Sequence, residues 1–196
     1  PTHHCLEDLA IMRLLPNMAV YCPSDWVTAE ALVDHTRSMN GPGYIRFDGK
    51  ALPALYAEPA AVNLQQGFSQ LVQGAVICLV STGFMTHRAL AVAQQRPGVA
   101  VIDLYSLKPC DEQALAHALR SYSRVISMEE GFINNGGLDS LVAKVIREHE
   151  LPCRQESIGF NDRYVFDLGS RDHLHGINGM DEAAVISLID RRGIYR

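Results

Sequence analysis

The stretch Val125-Ile-Ser-Met-Glu-Glu-Gly-Phe-Ile-Asn-Asn-Gly-Gly-Leu-Asp-Ser-Leu-Val-Ala-Lys-Val-Ile146 passes from apolar strand to glycine-rich turn to amphipathic helix in one run. Val125 and Ile126 open a β-prone segment. Gly136-Gly137 permits a turn that side-chain-bearing residues resist, and Leu138, Leu141, Val142, Val145 and Ile146 recur at the helical spacing of three and four. A glycine pair ahead of a helix either cradles an anion at the helix N-terminus or lets a neighbour pack closely. The spacing is not G-x-G-x-x-G, which favours packing.

Working outward, the same strand-then-helix plan recurs. Val76-Ile-Cys-Leu-Val80 is a continuous apolar run of the kind buried in a parallel sheet, and Thr82-Gly83 turns it into a helix over 85–95. Val99-Ala-Val-Ile102 is the next strand and 111–121 the next helix, with Leu115, Ala118 and Leu119 inward. Beyond the opening stretch, 154–158 reads as a strand. Residues 167–178 read as a polar surface loop or short helix, and Met180-Asp-Glu182 opens a last helix with Val185, Leu188 and Ile189 inward and Gly193 ending it.

Upstream, Leu6, Leu9, Ala10 and Leu14 trace one face of a short helix that Pro16 stops. A strand over 18–22 follows. Thr28 then caps a helix reaching Met39 with Leu32 and Val33 inward, and a strand follows at Tyr44–Phe47. Residues 51–67 lack a sustained period and carry prolines, which fits a linker. The expected fold is α/β, a mostly parallel sheet with helices on both faces, in two α/β regions of which the first is partial and the second complete. A partial first sheet should leave open edges, with apolar surface near Ile11, Met12 and Val20.

Bulk numbers narrow the function classes. The chain has 196 residues, with 22 acids against 17 Lys and Arg for a net charge of −5, so the basic footprint of a nucleic-acid binder is missing. No apolar run is long enough for a membrane helix and no signal pattern opens the chain, which gives the expectation of a cytoplasmic protein without membrane or nucleic-acid partners. Cys5, Cys22, Cys78, Cys110 and Cys153 are odd in number and never spaced C-x-x-C, a poor basis for disulfides or zinc. His173 and His175 would form a metal pair only on an extended loop, so no metal site is expected. A first residue Pro1 instead of Met suggests a fragment or a processed chain.

Taken together, Pro1-Thr-His-His4, Glu7, Asp8, Pro16-Asn-Met18, Gly41-Pro42, Leu107-Lys-Pro109, Glu129-Glu130 and Gly136-Gly137-Leu138 resemble the transketolase family of thiamine diphosphate enzymes. The doubled His3-His4, Asp162-Arg-Tyr164 and Gly169-Ser-Arg-Asp-His-Leu174 look more like deoxyxylulose-phosphate synthase, and Gly41-Pro-Gly-Tyr-Ile-Arg46 is similar to stand-alone C-terminal transketolase subunits. The resemblance implies that 1–50 is the end of a pyrimidine-binding domain, 51–67 a linker, and 68–196 a C-terminal domain that serves assembly. Glu129-Glu130 and the glycine pair then belong to architecture.

The resemblance also implies an activity: transfer of a two-carbon or acyl unit from a ketose or α-keto donor to an aldehyde acceptor. His3 matches the family's substrate-channel histidine and is the candidate catalytic residue, since an imidazole can donate to a developing alkoxide or shuttle a proton near neutral pH. His4 is a candidate substrate contact. The family's phosphate-binding arginine falls at Gly49, so that arginine is missing. Lys50 is the candidate substitute, a point charge without the bidentate fork, and Arg46 should face the opposite way from position 49. Glu7 and Asp8 sit in the first turn of a helix, a favourable place for acids whatever the function.

The groups that activate thiamine diphosphate, and those that hold its diphosphate and Mg, lie in the family on segments absent from this chain. Cofactor and metal would therefore be bound mainly elsewhere, on an upstream segment or on a homodimeric or heteromeric partner carrying the diphosphate-binding domain. The substrate would be a small sugar or keto acid. The alternative is a non-catalytic assembly or regulatory module derived from the same fold, which the missing arginine favours.

Overall fold

The computed structural model describes residues 5–191. In chain order the elements are α1 (Asp8–Leu14), β1 (Ala19–Tyr21), α2 (Trp26–Arg37), β2 (Gly43–Ile45), a single 3-10 turn at Pro59–Ala61, β3 (Phe68–Val72), β4 (Ile77–Ser81), α3 (Met85–Gln95), β5 (Val99–Leu104), β6 (Ser106–Lys108), α4 (Glu112–Leu119), β7 (Arg124–Phe132), α5 (Leu138–Glu148), β8 (Arg154–Phe160), α6 (Arg171–Ile177) and α7 (Glu182–Asp190). Five strands form the main sheet in the order β3-β5-β4-β7-β8. All its pairings are parallel except β3 on β5.

Helices cover both faces of this sheet, and the pleat decides which residues meet them. Along β4, Cys78 and Val80 point to the face covered by α4, α5 and α1, where they join Leu9, Leu115, Leu119, Leu141, Val142 and Val145. Ile77 and Leu79 point the other way, to Met85, Ala89 and Val92 of α3 and Val185 and Ile189 of α7. Both sets are buried, as successive side chains of a strand covered on two faces must be.

The smaller sheet has the order β2-β1-β6, with β1 parallel to β2 and antiparallel to β6. β1 is therefore not an edge. Val20 is fully buried, whereas Ile11 is half exposed, so only part of the expected apolar surface exists. Residues 51–67 do not extend away from the body: Tyr56 and Val62 are buried against Ala19, Tyr21, Val27, Ala31, Leu32 and Tyr105.

Three local expectations are corrected. The N-cap of α2 is Asp25, not Thr28; Thr28 is the third helical residue and returns the bond through its hydroxyl, completing a capping box. Val33 and Leu14 are exposed, while Leu32 and Leu9 carry the inward faces of their helices. The segment expected as a surface loop contains α6, and His175 within it is buried. Gly193 lies outside the described residues.

Candidate functional site

In open α/β sheets, ligands settle outside the carboxyl ends of the strands, where the chain order reverses. Here that point lies between β4 and β7, because the connection from β4 runs to β5 on one side and the next returns to β7 on the other. The chain closes it with its own residues. The Thr82 amide donates to the Met128 carbonyl at 3.2 Å, bridging the two strand ends, and its hydroxyl donates to the Cys22 carbonyl at 3.4 Å. Cys22 Sγ sits where a side chain on Gly83 would be, at 2.8 Å from an added Cβ, and Gly83 has a φ of 57°. The first part of the chain thus lies on the crevice.

The next strand end is sealed by a buried carboxylate. Asp103 closes the apolar run of β5 and accepts from Ser24 Oγ at 2.5 Å, Tyr56 OH at 2.8 Å and Thr86 Oγ1 at 2.8 Å. Burial pushes its carboxyl up to about 6, against the three hydroxyl donors that pull it down. A charged residue at the end of a continuous apolar run was the signal for it in the sequence.

The turn between β7 and α5 settles the role of the glycine pair. Glu129 Oε1 accepts from the Asp139 amide at 3.1 Å, so the helix N-terminus already holds a carboxylate of this chain. A Cβ on Gly137 would come within 2.6 Å of Glu129 Oε1, and on the other side Arg13 Nη1 donates to the carbonyls of Gly136 and Gly137. Close packing is the reason for the glycines. Burial raises the Glu129 carboxyl to about 7, while the Leu138 and Asp139 amides draw it down.

Glu130, the neighbouring residue, starts a polar chain that reaches across the molecule. Its Oε1 meets Arg171 Nε at 2.9 Å and His175 Nε2 at 2.9 Å. Arg88 Nε donates to His175 Nδ1 at 3.0 Å, which makes Nδ1 the acceptor and Nε2 the protonated nitrogen facing Glu130. Arg88 also pairs with Asp172 and Glu182, each at 2.7 Å. Arg171 Nη2 in turn reaches Asp48 Oδ2 at 2.6 Å. His173 and His175 share one short helix, and both ring nitrogens of His175 are engaged, so the pair is not arranged as metal ligands.

Residues 5–8 pass the end of β7. The Leu6 carbonyl lies 3.4 Å from the position of a Cβ on Gly131. The Glu7 carboxylate folds back to accept from the Leu6 amide at 2.6 Å. Asp8 does more than favour a helix dipole: it is buried, accepts from Tyr44 OH at 2.6 Å and has Arg46 Nη1 at 3.5 Å. Arg46 thus turns inward to Asp8 while Gly49 and Lys50 are exposed. Lys50 lines a depression of about 240 Å³ with Pro23, Asp25, Trp26, Phe47 and Asp48. His3 and His4 lie outside the described residues, so among the three sequence candidates Lys50 alone has a described position.

A larger depression of about 770 Å³ lies between α3 and α7, lined by Gln95, Arg96, Glu182, Ile186 and Asp190 among others. Its mouth is crossed by the Arg96–Asp190 ion pair at 2.6 Å, and it is remote from the polar chain around Glu130. The described residues do not fit a diphosphate and its metal: no three His, Cys, Asp or Glu side chains among them converge, and the helix end that could cradle a phosphate holds Glu129.

Residues 68–185 match the family "Transketolase, C-terminal domain". The chain belongs to that family. This transketolase C-terminal domain protein is 32% identical over 196 residues to an apulose-4-phosphate transketolase subunit of Actinobacillus succinogenes, a match covering 95% of the chain and 61% of the relative. It is 29% identical over 194 residues to "1-deoxy-D-xylulose-5-phosphate synthase" of Oleidesulfovibrio alaskensis, covering 94% of the chain and 30% of that protein. Among solved structures it is similar to "Split gene transketolase, inactive beta4 tetramer", with a TM-score of 0.87 and 32% identity over 97% of the chain and 62% of the other. The transketolase C-terminal domain protein therefore spans less than two thirds of the length of these relatives. No helix among the described residues is long and apolar enough to cross a membrane.

Proposed function

We propose that this chain is the C-terminal part of a thiamine diphosphate-dependent, transketolase-like transferase that moves a two-carbon or acyl unit from a ketose or α-keto donor to an aldehyde acceptor. The observation that carries this reading is the likeness to a split-gene transketolase across nearly the whole chain. The division into 1–50, 51–67 and 68–196 belongs to the same proposal, and the family match beginning at residue 68 supports its last boundary. The setting is cytoplasmic.

In this reading the chain's own residues do two jobs. The Cys22–Ser24 and Tyr56 contacts to Thr82 and Asp103 hold the first region against the carboxyl ends of the main sheet, fixing the edge that presents substrate contacts. His3 then acts on the substrate, holding or moving a proton at a donor oxygen, with His4 and Lys50 as further contacts. Thiamine diphosphate and Mg, which would supply the carbanion chemistry, are held on an upstream segment or on the partner, a second copy or a different chain, that carries the diphosphate-binding domain.

The test is reconstitution. With the missing segment or partner, thiamine diphosphate and Mg supplied, the chain should support ketol transfer to an aldehyde acceptor. His3→Ala should lower turnover by about 10²- to 10⁴-fold while cofactor affinity stays nearly constant. Full activity of the variant would remove His3 from the site, and a folded complex with no transfer activity would favour the assembly-module reading.

A further inference from the structure

The substrate-facing loop of residues 47–52 receives its one strong tie to the main sheet from a residue more than a hundred positions away. Arg171, at the first position of α6, reaches Asp48 Oδ2 with Nη2 at 2.6 Å and Glu130 Oε1 with Nε at 2.9 Å. Its guanidinium carbon lies 4.1 Å from the centroid of the Phe84 ring, within cation–π range. Two carboxylates and an aromatic face thus fix the planar fork, so that it acts as a rigid peg instead of a mobile surface cation. Glu130 is in turn held by His175, and His175 by Arg88, which makes the anchor part of a continuous polar chain.

The other end of the tie is the loop itself. Asp48 Oδ1 accepts from the Lys50 amide at 2.9 Å, so the side chain that Arg171 grips also sets the backbone turn leading to Lys50. With both arms of the fork spent on carboxylates, Arg171 is a poor anion receptor.

We propose that Arg171 is a positioning residue: through Asp48 it fixes the loop 47–52, and hence the place of Lys50 and the affinity for substrate. This rests on the functional reading above, and deepens it, because that reading places Lys50 at the substrate. It makes the family's C-terminal region a contributor to substrate recognition without touching substrate.

The chain has one tryptophan, Trp26, and it lines the same depression as Phe47, Asp48 and Lys50, which provides a readout independent of activity. In the full chain, Arg171→Ala and Asp48→Asn should each change Trp26 emission and its quenching by acrylamide. The double variant should change them no more than either single one, and Arg171→Lys should recover part of the native signal. In the reconstituted enzyme, Arg171→Ala should raise KM for substrate by about fivefold or more with kcat nearly unchanged, the pattern of lost binding common to ground and transition states. Folded variants whose Trp26 signal matches the native chain would overturn the clamp. An altered Trp26 signal with native KM would overturn its link to substrate. If the native complex itself shows no transfer activity, the functional reading has failed, and a native Trp26 signal in the folded variants still decides against the clamp.

Discussion

Glu129 and Asp139 form the junction on which the β7–α5 unit turns: the carboxylate of the strand residue accepts the backbone amide of the helix residue at 3.1 Å. The bond occupies the volume that any side chain on Gly137 would claim, with Glu129 Oε1 2.6 Å from an added Cβ. Gly137→Ala must therefore push the carboxylate off the helix end and leave buried groups unpaired. We expect a loss of about 1–3 kcal/mol in unfolding free energy, measurable by urea denaturation. A variant as stable as the native chain would mean that Glu129 has another low-energy position.

Asp103 makes stability depend on pH in a direction opposite to that of an exposed, salt-bridged acid. Its folded carboxyl stands near 6 against an ordinary 3.8, chiefly through burial, so the folded state holds the proton more tightly than the unfolded chain does. The contribution is fully present below the ordinary value and is lost as pH rises through about 6, with a span of about 3 kcal/mol. Glu129, raised to about 7, adds a loss of the same sign at slightly higher pH. Chemical denaturation from pH 4 to 8 should show the native chain losing stability relative to Asp103→Asn through this window. A difference that stays flat would place Asp103 in a more polar environment.

Asp25 links the first helix after β1 to the irregular segment that follows β2. Oδ1 accepts from the Thr28 amide at 2.7 Å as the cap of α2, and Oδ2 accepts from the amides of Leu55 at 2.6 Å and Tyr56 at 3.2 Å. Asp25→Ala removes the cap and orphans the two amides together. A cost of about 2–4 kcal/mol is expected. Hydrogen exchange should show the amides of residues 55 and 56 losing protection along with the first turn of α2; protection unchanged at 55 and 56 would contradict the link.

Much of the main sheet was legible because its strands are covered on both faces and read as unbroken apolar runs. Ile77–Val80 and Val99–Ile102 are plain in that respect, and Leu138–Ile146 shows its helical period without ambiguity. β3 was not, since Phe-Ser-Gln-Leu-Val is a half-buried antiparallel edge whose polar positions blur the pattern. Val33 and Leu14 show a different limit: helical spacing fixes a face but not how wide a stripe the core will cover. The polar site was the least legible. Arg171 and Asp48 are separated by 123 positions, and nothing in either neighbourhood announces the other. Glu130 follows a residue of the same type that does an unrelated job, so composition could not divide the pair into a helix-end acceptor and a network acid.

Position 49 tests the substrate class. Gly49 has no heavy atom within 4 Å of an added Cβ, and its backbone does not demand glycine, so a longer side chain fits without strain. The neighbouring cation Lys50 can meet a phosphate only as a point charge, whereas a guanidinium two-bond fork recognises the planar face of its oxygens. In the complete enzyme the native chain should therefore discriminate weakly between a phosphorylated acceptor and its unphosphorylated analogue. Gly49→Arg should create a preference of about tenfold or more in kcat/KM, roughly 1.4 kcal/mol. The added cation also lies one residue from Asp48, so part of the gain would be offset if that carboxylate left Arg171; measuring the same ratio in Gly49→Arg combined with Asp48→Asn separates the two effects. A native enzyme that already favours the phosphorylated acceptor by more than about tenfold would show that some other residue reads the phosphate, and the assignment of the substrate edge to residues 47–52 would fall.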